Sequence, residues 1–176
     1  MNEKATYDQI GYFVVRFQQV EEQLHDLLEL TTVTKTENPT IALNGLIRAD
    51  EEFVQILKNE RTYSKRVKAT EARFARFVDL LPTPDQSAKQ RFHDLMEELR
   101  KLGKRRNDIV HSTCAPFISV EGQFGLRRKD SKQRKGQEEE ILPESLAGDL
   151  ERLDAAYQSL EAFRLEILTW LYGEDT

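Results

Sequence analysis

The sequence has only one cysteine, Cys114, in 176 residues. A single cysteine cannot form a disulfide within the chain, which favours a reducing compartment, and we expect a cytoplasmic protein. No stretch reaches the roughly 18 apolar residues of a membrane-spanning helix. The N-terminus also lacks the basic region and apolar run of a secretory signal peptide. These absences argue against a secreted protein and against association with a membrane.

Several catalytic signatures are missing as well. The sequence has no glycine-rich phosphate loop, no Cys/His cluster with zinc spacing and no Gly-x-Ser-x-Gly elbow. We therefore expect no metal site and no cofactor. His25 and His93 stand alone on predicted helices and are interpreted as surface histidines. Cys114 follows His111 closely, but no acyl-transfer pattern supports a nucleophilic role.

What is present is the composition of a helix-rich globular chain, with 39% hydrophobic and 32% charged residues. The length suits one domain, with bounds at 1–176. Apolar residues recur with helical spacing in several long segments. The pattern predicts an all-α bundle of four to five helices.

The bounds of the helices follow from caps and breakers. The predicted helical segments are about Tyr7 to Leu30, a short apolar stretch at 41–47, a pattern between Asp50 and Leu81, Gln86 to His111, and about 144–172. Thr6 or Asp8 lies near the start of the first helix, and 31–40 is a polar connection. The pattern before Leu81 allows one helix or two joined near 59–62. Two prolines end it, and Asp85 can cap the next helix.

The periodicity changes between 113 and 142. β-prone residues such as Phe117 and Phe124 alternate there with Gly122 and Gly125, which predicts a short hairpin-like excursion before the last helix. The run 127–140 contains no apolar residue and is predicted to be a mobile loop or part of the rim.

Charge is unevenly distributed along the chain. The net charge of −5 argues against a protein that coats nucleic acid non-specifically. The segment 101–135 nevertheless has ten Lys or Arg residues against three acidic ones. Such a segment can attract a polyanion, or it can be a solvated loop that balances acidic helices elsewhere. The sequence leaves both interpretations open.

The segment 104–112 is the most unusual, because Arg106 stands where the helical pattern calls for an apolar residue. The apolar positions of this helix are Phe92, Leu95, Met96, Leu99, Leu102, Ile109 and Val110. A buried charge must be paired or used, since an isolated buried ion costs several kcal/mol. Glu21 points into the same interior, and we interpret it as the partner of Arg106. The alternative is that Glu21 leans out at the edge of its own helix face.

A straight helix does not aim Arg106 and His111 at the same point. The two positions lie about 140° apart around the axis, whereas Asn107 and His111, at i and i+4, share a face. To act on one small group, Arg106 and His111 need a bent helix end or a second copy of the chain across a two-fold axis.

The residues from Arg106 to His111 fit the Arg-x(4–6)-His signature of the HEPN superfamily, with a polar residue directly after the arginine. The layout also resembles that superfamily, since an all-α bundle carries the motif near the end of a late core helix, before an excursion and a closing helix. The layout covers most of the chain, and the specific motif covers six residues. The resemblance implies a HEPN-like homodimer in which two motifs form one cleft.

Many HEPN proteins are metal-independent endoribonucleases of toxin–antitoxin, phage-defence or CRISPR-associated systems. The resemblance therefore implies an RNA substrate, a possible antitoxin or defence-system partner, and catalytic roles for Arg106, His111 and Asn107, with Glu21 and Asp108 in support. An imidazole can take the proton of an RNA 2′-hydroxyl or protonate the leaving 5′-oxygen, and a fixed guanidinium can stabilise the phosphorane. The products would be 2′,3′-cyclic phosphate and 5′-hydroxyl ends. The expected RNA-binding residues are Lys104, Arg105, Arg127, Arg128 and Lys129.

The superfamily also includes inactive members that act as binding or scaffold modules. In that alternative, Arg106 is a structural ion-pair partner, His111 ends the helix, and the chain is a non-catalytic dimeric bundle. The acidic net charge and the lack of an aromatic platform beside the motif in the sequence favour this alternative. A third hypothesis is a small-molecule or nucleotide pocket between helices.

Overall fold

The computed structural model describes residues 3–31, 62–81, 83–111, 113–129 and 139–172, and this part of the chain is predominantly helical. Its elements, in chain order, are α1 (Glu3–Leu30), α2 (Tyr63–Asp79), α3 (Gln86–His111), β1 (Thr113–Ile118), β2 (Phe124–Lys129), β3 (Glu139–Ile141) and α4 (Pro143–Tyr172). The all-α prediction is confirmed at this level, and the strands lie in the predicted excursion. The predicted features at 32–61 fall outside the described residues.

The predicted bounds of α3 and α4 agree with the structure. Asp85 caps α3, because its Oδ1 accepts hydrogen bonds from the backbone N–H groups of Ser87 at 2.9 Å and Ala88 at 3.0 Å. The bond from Ala88, followed by that from the Ser87 side chain, lowers the pKa of the Asp85 carboxyl. Val110 was predicted on the apolar face of α3 but is 41% exposed, since it points about 100° away from the buried Ile109.

The start of α1 was predicted too late. The helix begins at Glu3, so Thr6 lies within its first turns and does not precede them. The Thr6 hydroxyl is buried and donates a weak hydrogen bond to the carbonyl oxygen of Phe124 at 3.5 Å. A residue that resembled a cap in the sequence therefore contacts the sheet.

The described residues divide into two compact units. The first unit comprises Met1–Gln19 and Lys101–Ala155, and the second comprises Val20–Arg100 and Ala156–Thr176. The boundaries fall inside α1, α3 and α4. The assignment of one domain to 1–176 stays a prediction.

The first unit contains an antiparallel sheet with the strand order β1-β2-β3. Side chains alternate between the two faces of a strand, so Phe124, Leu126 and their neighbour Ile141 share one face, and all three are buried. The charged run 127–140 was predicted to be a mobile loop or part of the rim. This prediction was wrong at both ends of the run, because 127–129 belong to β2 and 139–140 belong to β3. Residues 130–138 lie outside the described part.

The second unit is built from helical segments around an aromatic cluster. The Phe74 and Phe92 rings stack with their centroids 4.0 Å apart, and Phe163 meets both rings edge-on. Phe74 and Phe92 are each 1% exposed. Within the described residues, no helix combines the length and the apolar character that crossing a membrane requires.

Candidate active site at the end of α3

The last turns of α3 bring a guanidinium and an imidazole together. Arg106 Nη1 lies 3.4 Å from His111 Nε2 and donates a hydrogen bond to Asn107 Oδ1 at 3.2 Å. Because a guanidinium only donates hydrogen bonds, His111 Nε2 is the acceptor in this contact. Arg106 is half-buried, whereas Asn107 and His111 are exposed. The motif thus presents a cation and a proton acceptor at an exposed helix end.

The sequence predicted that Arg106 and His111 need a bent helix end or a second copy of the chain to meet, and in the structure they meet within one chain. The angle of about 140° describes the directions of their Cα–Cβ bonds, and the rise between them is only about 7.5 Å. The long arginine side chain spans this separation, and His111 is the last residue of α3. One copy of the chain therefore brings the two groups within contact distance.

Among the described residues of its unit, Arg106 contacts an aromatic ring, an amide and an imidazole. Its Cζ lies 6.0 Å from the centroid of the Phe17 ring, near the outer limit for a cation–π contact. Among the described residues of its own unit, no carboxylate lies within ion-pair distance of its guanidinium. The guanidinium therefore has no counter-charge among the described residues of that unit.

Glu21 was predicted to pair with Arg106. It belongs to the second unit, so the pairing stays a prediction. Within the second unit, burial and then the charge of Glu21 raise the pKa of Tyr63. The Tyr63 hydroxyl donates a hydrogen bond to the carbonyl oxygen of Leu99 at 3.1 Å. The visible influence of Glu21 is on this tyrosine.

Arg105, which was predicted to bind RNA, is held by a carboxylate. Its Nε donates to Asp149 Oδ2 at 2.6 Å, and the two side chains are only 14% and 10% exposed. Asp149 also accepts a hydrogen bond from Arg152 at 3.2 Å. Arg105 thus joins α3 to α4 within the first unit, and we leave it out of the RNA-binding surface proposed below.

The other predicted RNA-binding residues lie on α3 and β2. Lys104 is exposed. The β1–β2 register pairs Thr113 with Lys129 and Cys114 with Arg128, so the basic end of β2 runs beside the residues that directly follow His111. The role of the half-buried Asp108 as a supporting residue stays a prediction.

Arg127 contacts an aromatic side chain that sequence reasoning did not single out as functional. Its Cζ lies 4.9 Å from the centroid of the Phe117 ring, and its Nη2 donates to Glu140 Oε1 at 2.9 Å. The alternation of β-prone residues with glycine marked the hairpin. It did not show that Phe117 pairs with Gly125, so the contact with Arg127 was missed.

His25, His93 and a cavity in the second unit give less support for a function than the contact between Arg106 and His111 does. His93 is exposed, as predicted, and its Nδ1 contacts Glu71, whereas His25 is half-buried. A cavity of about 300 Å³ in the second unit is lined partly by Glu71, Lys89 and His93. In the part of the chain that the structure describes, no group of three His, Cys, Asp or Glu side chains is arranged to hold a metal ion. Nothing in this cavity adds support to the small-molecule hypothesis.

Comparisons with protein families, with curated proteins and with solved structures give no match to this chain. The resemblance to the HEPN superfamily is therefore carried by the residues from Arg106 to His111 and by the layout of the helices.

Proposed function

We propose that the chain is a metal-independent endoribonuclease of the HEPN type, with its active site at Arg106 and His111. The observation that carries the proposal is the 3.4 Å contact between Arg106 Nη1 and His111 Nε2. An arginine that has no carboxylate partner among the described residues of its unit can bind a phosphate. An exposed imidazole nitrogen that accepts a hydrogen bond can also accept a proton. Both groups needed for phosphodiester cleavage are therefore side by side.

The proposed reaction needs only RNA and these side chains. His111 removes the proton from a 2′-hydroxyl, and the 2′-oxygen attacks the adjacent phosphorus. A bond forms between phosphorus and the 2′-oxygen as the bond to the 5′-oxygen breaks, and the 5′-oxygen takes a proton from water or from the imidazole of a second copy. Arg106 stabilises the charge on the phosphorane, while Asn107 orients the guanidinium. The products are 2′,3′-cyclic phosphate and 5′-hydroxyl ends.

The approach of RNA is favoured by nearby positive charge. Lys104 is exposed on α3, and Arg128 and Lys129 lie on the strand that pairs with the residues after His111. Such charges attract the phosphate backbone irrespective of sequence. A toxin or phage-defence setting, with a protein antitoxin or another defence protein as partner, belongs to the same proposal through the HEPN resemblance.

A second candidate function is a non-catalytic dimeric binding module. It is favoured by apolar side chains on the first half of α1, where Tyr7 is 46%, Tyr12 is 53% and Val15 is 55% exposed. Exposed apolar side chains can form contacts with other proteins. In this alternative, Arg106 only fastens the helix end, and the same α1 surface joins two copies.

The deciding experiment is cleavage of RNA by the purified chain in the presence of EDTA. We expect cleavage by the native chain and losses of at least about 100-fold in Arg106→Ala and His111→Ala. His93→Ala is the matched control, because His93 is another exposed histidine of α3 but contacts a carboxylate. It should cleave like the native chain.

Two outcomes reject the proposal. Unchanged cleavage in folded Arg106→Ala and His111→Ala removes these residues from the active site. No cleavage of any RNA by a native chain that forms dimers favours the binding module.

A further inference from the structure

We propose that the outer face of the β1–β2 hairpin is a stacking site for an unpaired base of single-stranded RNA. Phe117, Gly125 and Arg127 form this site, which we call the hairpin platform. The inference rests on the proposed function, because it assigns a substrate class to the same protein. It also supplies the aromatic surface that the sequence did not show beside the motif.

The alternation of side chains places the hairpin platform on the face opposite the core. Leu126 and Ile141 are buried on one face of the sheet. Gly125 and Arg127, the neighbours of Leu126 in β2, face the other way, together with Phe117 opposite Gly125. The Phe117 ring is half-buried, and the side chain of Arg127 is 41% exposed.

Gly125 allows the ring of Phe117 to lie against the sheet. A Cβ atom at position 125 would lie 2.7 Å from Phe117 Cε1 and 3.0 Å from the carbonyl oxygen of Ile141. Both separations are too short for ordinary contact, so only glycine leaves room for the ring. Leu142 Cδ2 also lies 3.0 Å from this Cβ position, so the phenyl ring lies between the backbone of Gly125 and neighbouring side chains.

Arg127 extends this surface with a second planar group. Its guanidinium lies over the Phe117 ring at 4.9 Å and is held from the side by Glu140 at 2.9 Å. The carboxylate offsets the charge, so the guanidinium suits a base better than a phosphate. Unpaired bases stack on aromatic rings and on arginine planes, largely irrespective of base identity.

The position of the hairpin platform relative to His111 fits one bound strand. β1 starts two residues after His111, and Phe117 lies about 13 Å along the strand from Thr113. The basic end of β2 runs beside this stretch, since Lys129 pairs with Thr113. An RNA strand that stacks on the platform can therefore follow β1 towards His111, beside the basic end of β2. A duplex keeps its bases paired and cannot stack in this way.

The test measures binding separately from cleavage. The probe is a short, fluorescently labelled 2′-O-methyl RNA oligonucleotide, which lacks the attacking hydroxyl, as a single strand and as a duplex of the same sequence. Fluorescence anisotropy should show tighter binding of the single strand. Arg127→Lys and Phe117→Leu should each weaken single-strand binding on the order of tenfold. Arg127→Lys keeps the charge, so the salt dependence of binding should not change.

Arg91→Lys is the matched control. Arg91 also lies over a phenyl ring, that of Phe163 at 5.5 Å, and pairs with Glu166 at 2.9 Å, but it belongs to the second unit. Its substitution should leave binding of the single strand unchanged. A tenfold loss in Arg91→Lys would mean that the loss in Arg127→Lys is not specific to the hairpin platform and would overturn the proposal.

The two proposals fail in different ways. Weaker binding in Arg127→Lys and Phe117→Leu, without cleavage of any RNA by the native chain, supports the hairpin platform and rejects the nuclease. Native-like binding of the single strand by both variants, with metal-independent cleavage intact, rejects the platform and leaves the nuclease standing. Equal binding of duplex and single strand by the native chain also overturns the platform.

Discussion

The two parts of α3, one in each unit, both bring an arginine and a histidine close to a shared contact, but with different partners. In the second unit, Arg100 and His93 both contact the carboxylate of Glu71, which joins α2 to α3. In the first unit, Arg106 contacts the imidazole of His111. A carboxylate that contacts both a guanidinium and an imidazole balances charge and joins two helices, whereas a guanidinium beside a ring nitrogen leaves an acceptor and a cation at an exposed helix end. The partners of these side chains, more than their residue types, distinguish a structural cluster from a candidate active site.

Arg105 and Arg106 are neighbours in the chain but differ in their partners. The largest effect on stability is expected from loss of the ion pair between Arg105 and Asp149. Asp149→Ala removes the carboxylate that holds the largely buried Arg105, and we expect a loss of about 3 kcal/mol in the free energy of unfolding. Among the described residues of its unit Arg106 has no ion pair, so Arg106→Ala should cost less than about 1 kcal/mol. Urea denaturation measures both.

The matched control for Asp149→Ala is Asp154→Ala. Asp154 pairs with Arg16 at 2.6 Å but is 44% exposed, so its loss should cost about 1 kcal/mol or less. If Arg106→Ala destabilises the chain as much as Asp149→Ala does, Arg106 is a structural residue and the comparison between the two arginines fails.

A smaller effect is expected from glycine substitutions in the first unit. Gly125→Ala forces a methyl group against Phe117 and the Ile141 carbonyl and should cost about 1–3 kcal/mol. Gly11→Ala adds a methyl group in open space on α1 and should stabilise the helix by about 0.5–1 kcal/mol. Thermal unfolding of both variants shows whether each substitution stabilises or destabilises the protein. A stabilising Gly125→Ala would show that the ring of Phe117 does not depend on the glycine.

The second unit offers a test at alkaline pH. Burial raises the pKa of Tyr63, so its contribution to stability is fully present below the ordinary tyrosine pKa of about 10. The contribution is lost as the pH rises from there through the folded pKa, because the unfolded chain ionises first. Tyr63→Phe should cost about 1 kcal/mol at pH 7, through the lost hydrogen bond to Leu99, and should reduce the alkaline fall in stability.

Urea denaturation of the native chain and Tyr63→Phe between pH 7 and pH 11 measures this difference. Parallel stability curves for the two proteins would contradict the burial of the Tyr63 hydroxyl. They would also contradict the effect of the Glu21 charge on the pKa of Tyr63.

The smallest effect is expected at the exposed cap of α3. Hydrogen bonds lower the pKa of Asp85, so its contribution is present above the ordinary pKa of about 3.9 and is lost as the pH falls through the folded pKa. Asp85→Ala should lower the melting temperature at pH 7, and the difference should disappear in strong acid. Asp85→Asn is the control, because it keeps an acceptor without the charge. A difference between Asp85→Ala and the native chain that persists unchanged in acid would contradict this account of the cap.

The sequence predicted the helices because their physics is local. Apolar spacing and the Asp85 cap define α3, and the glycines and β-prone residues between 113 and 142 define the hairpin. The start of α1 was missed because the partner of Thr6 is more than one hundred residues away, at Phe124. Local sequence patterns do not show contacts between residues so far apart in the chain.

The sequence indicated which residues could form the candidate active site, but it did not predict their geometry. The angle between Arg106 and His111 on a straight helix describes backbone directions. It does not include the reach of the long arginine side chain, which brings the two groups into contact. The hairpin platform depends on strand register, since a slip of one residue would turn Phe117 to the other face. Neither side-chain conformation nor register can be read from composition and spacing.

The central claim is that Arg106 and His111 of one chain form one catalytic site. Its most direct test is RNA cleavage in EDTA by a heterodimer purified after co-expression of the Arg106→Ala and His111→Ala chains, measured beside the native protein. If the two residues act from the same chain, the native protein cleaves and the heterodimer does not, because neither chain has both groups. Cleavage by the heterodimer would show that the site combines Arg106 of one copy with His111 of the other and would contradict the claim.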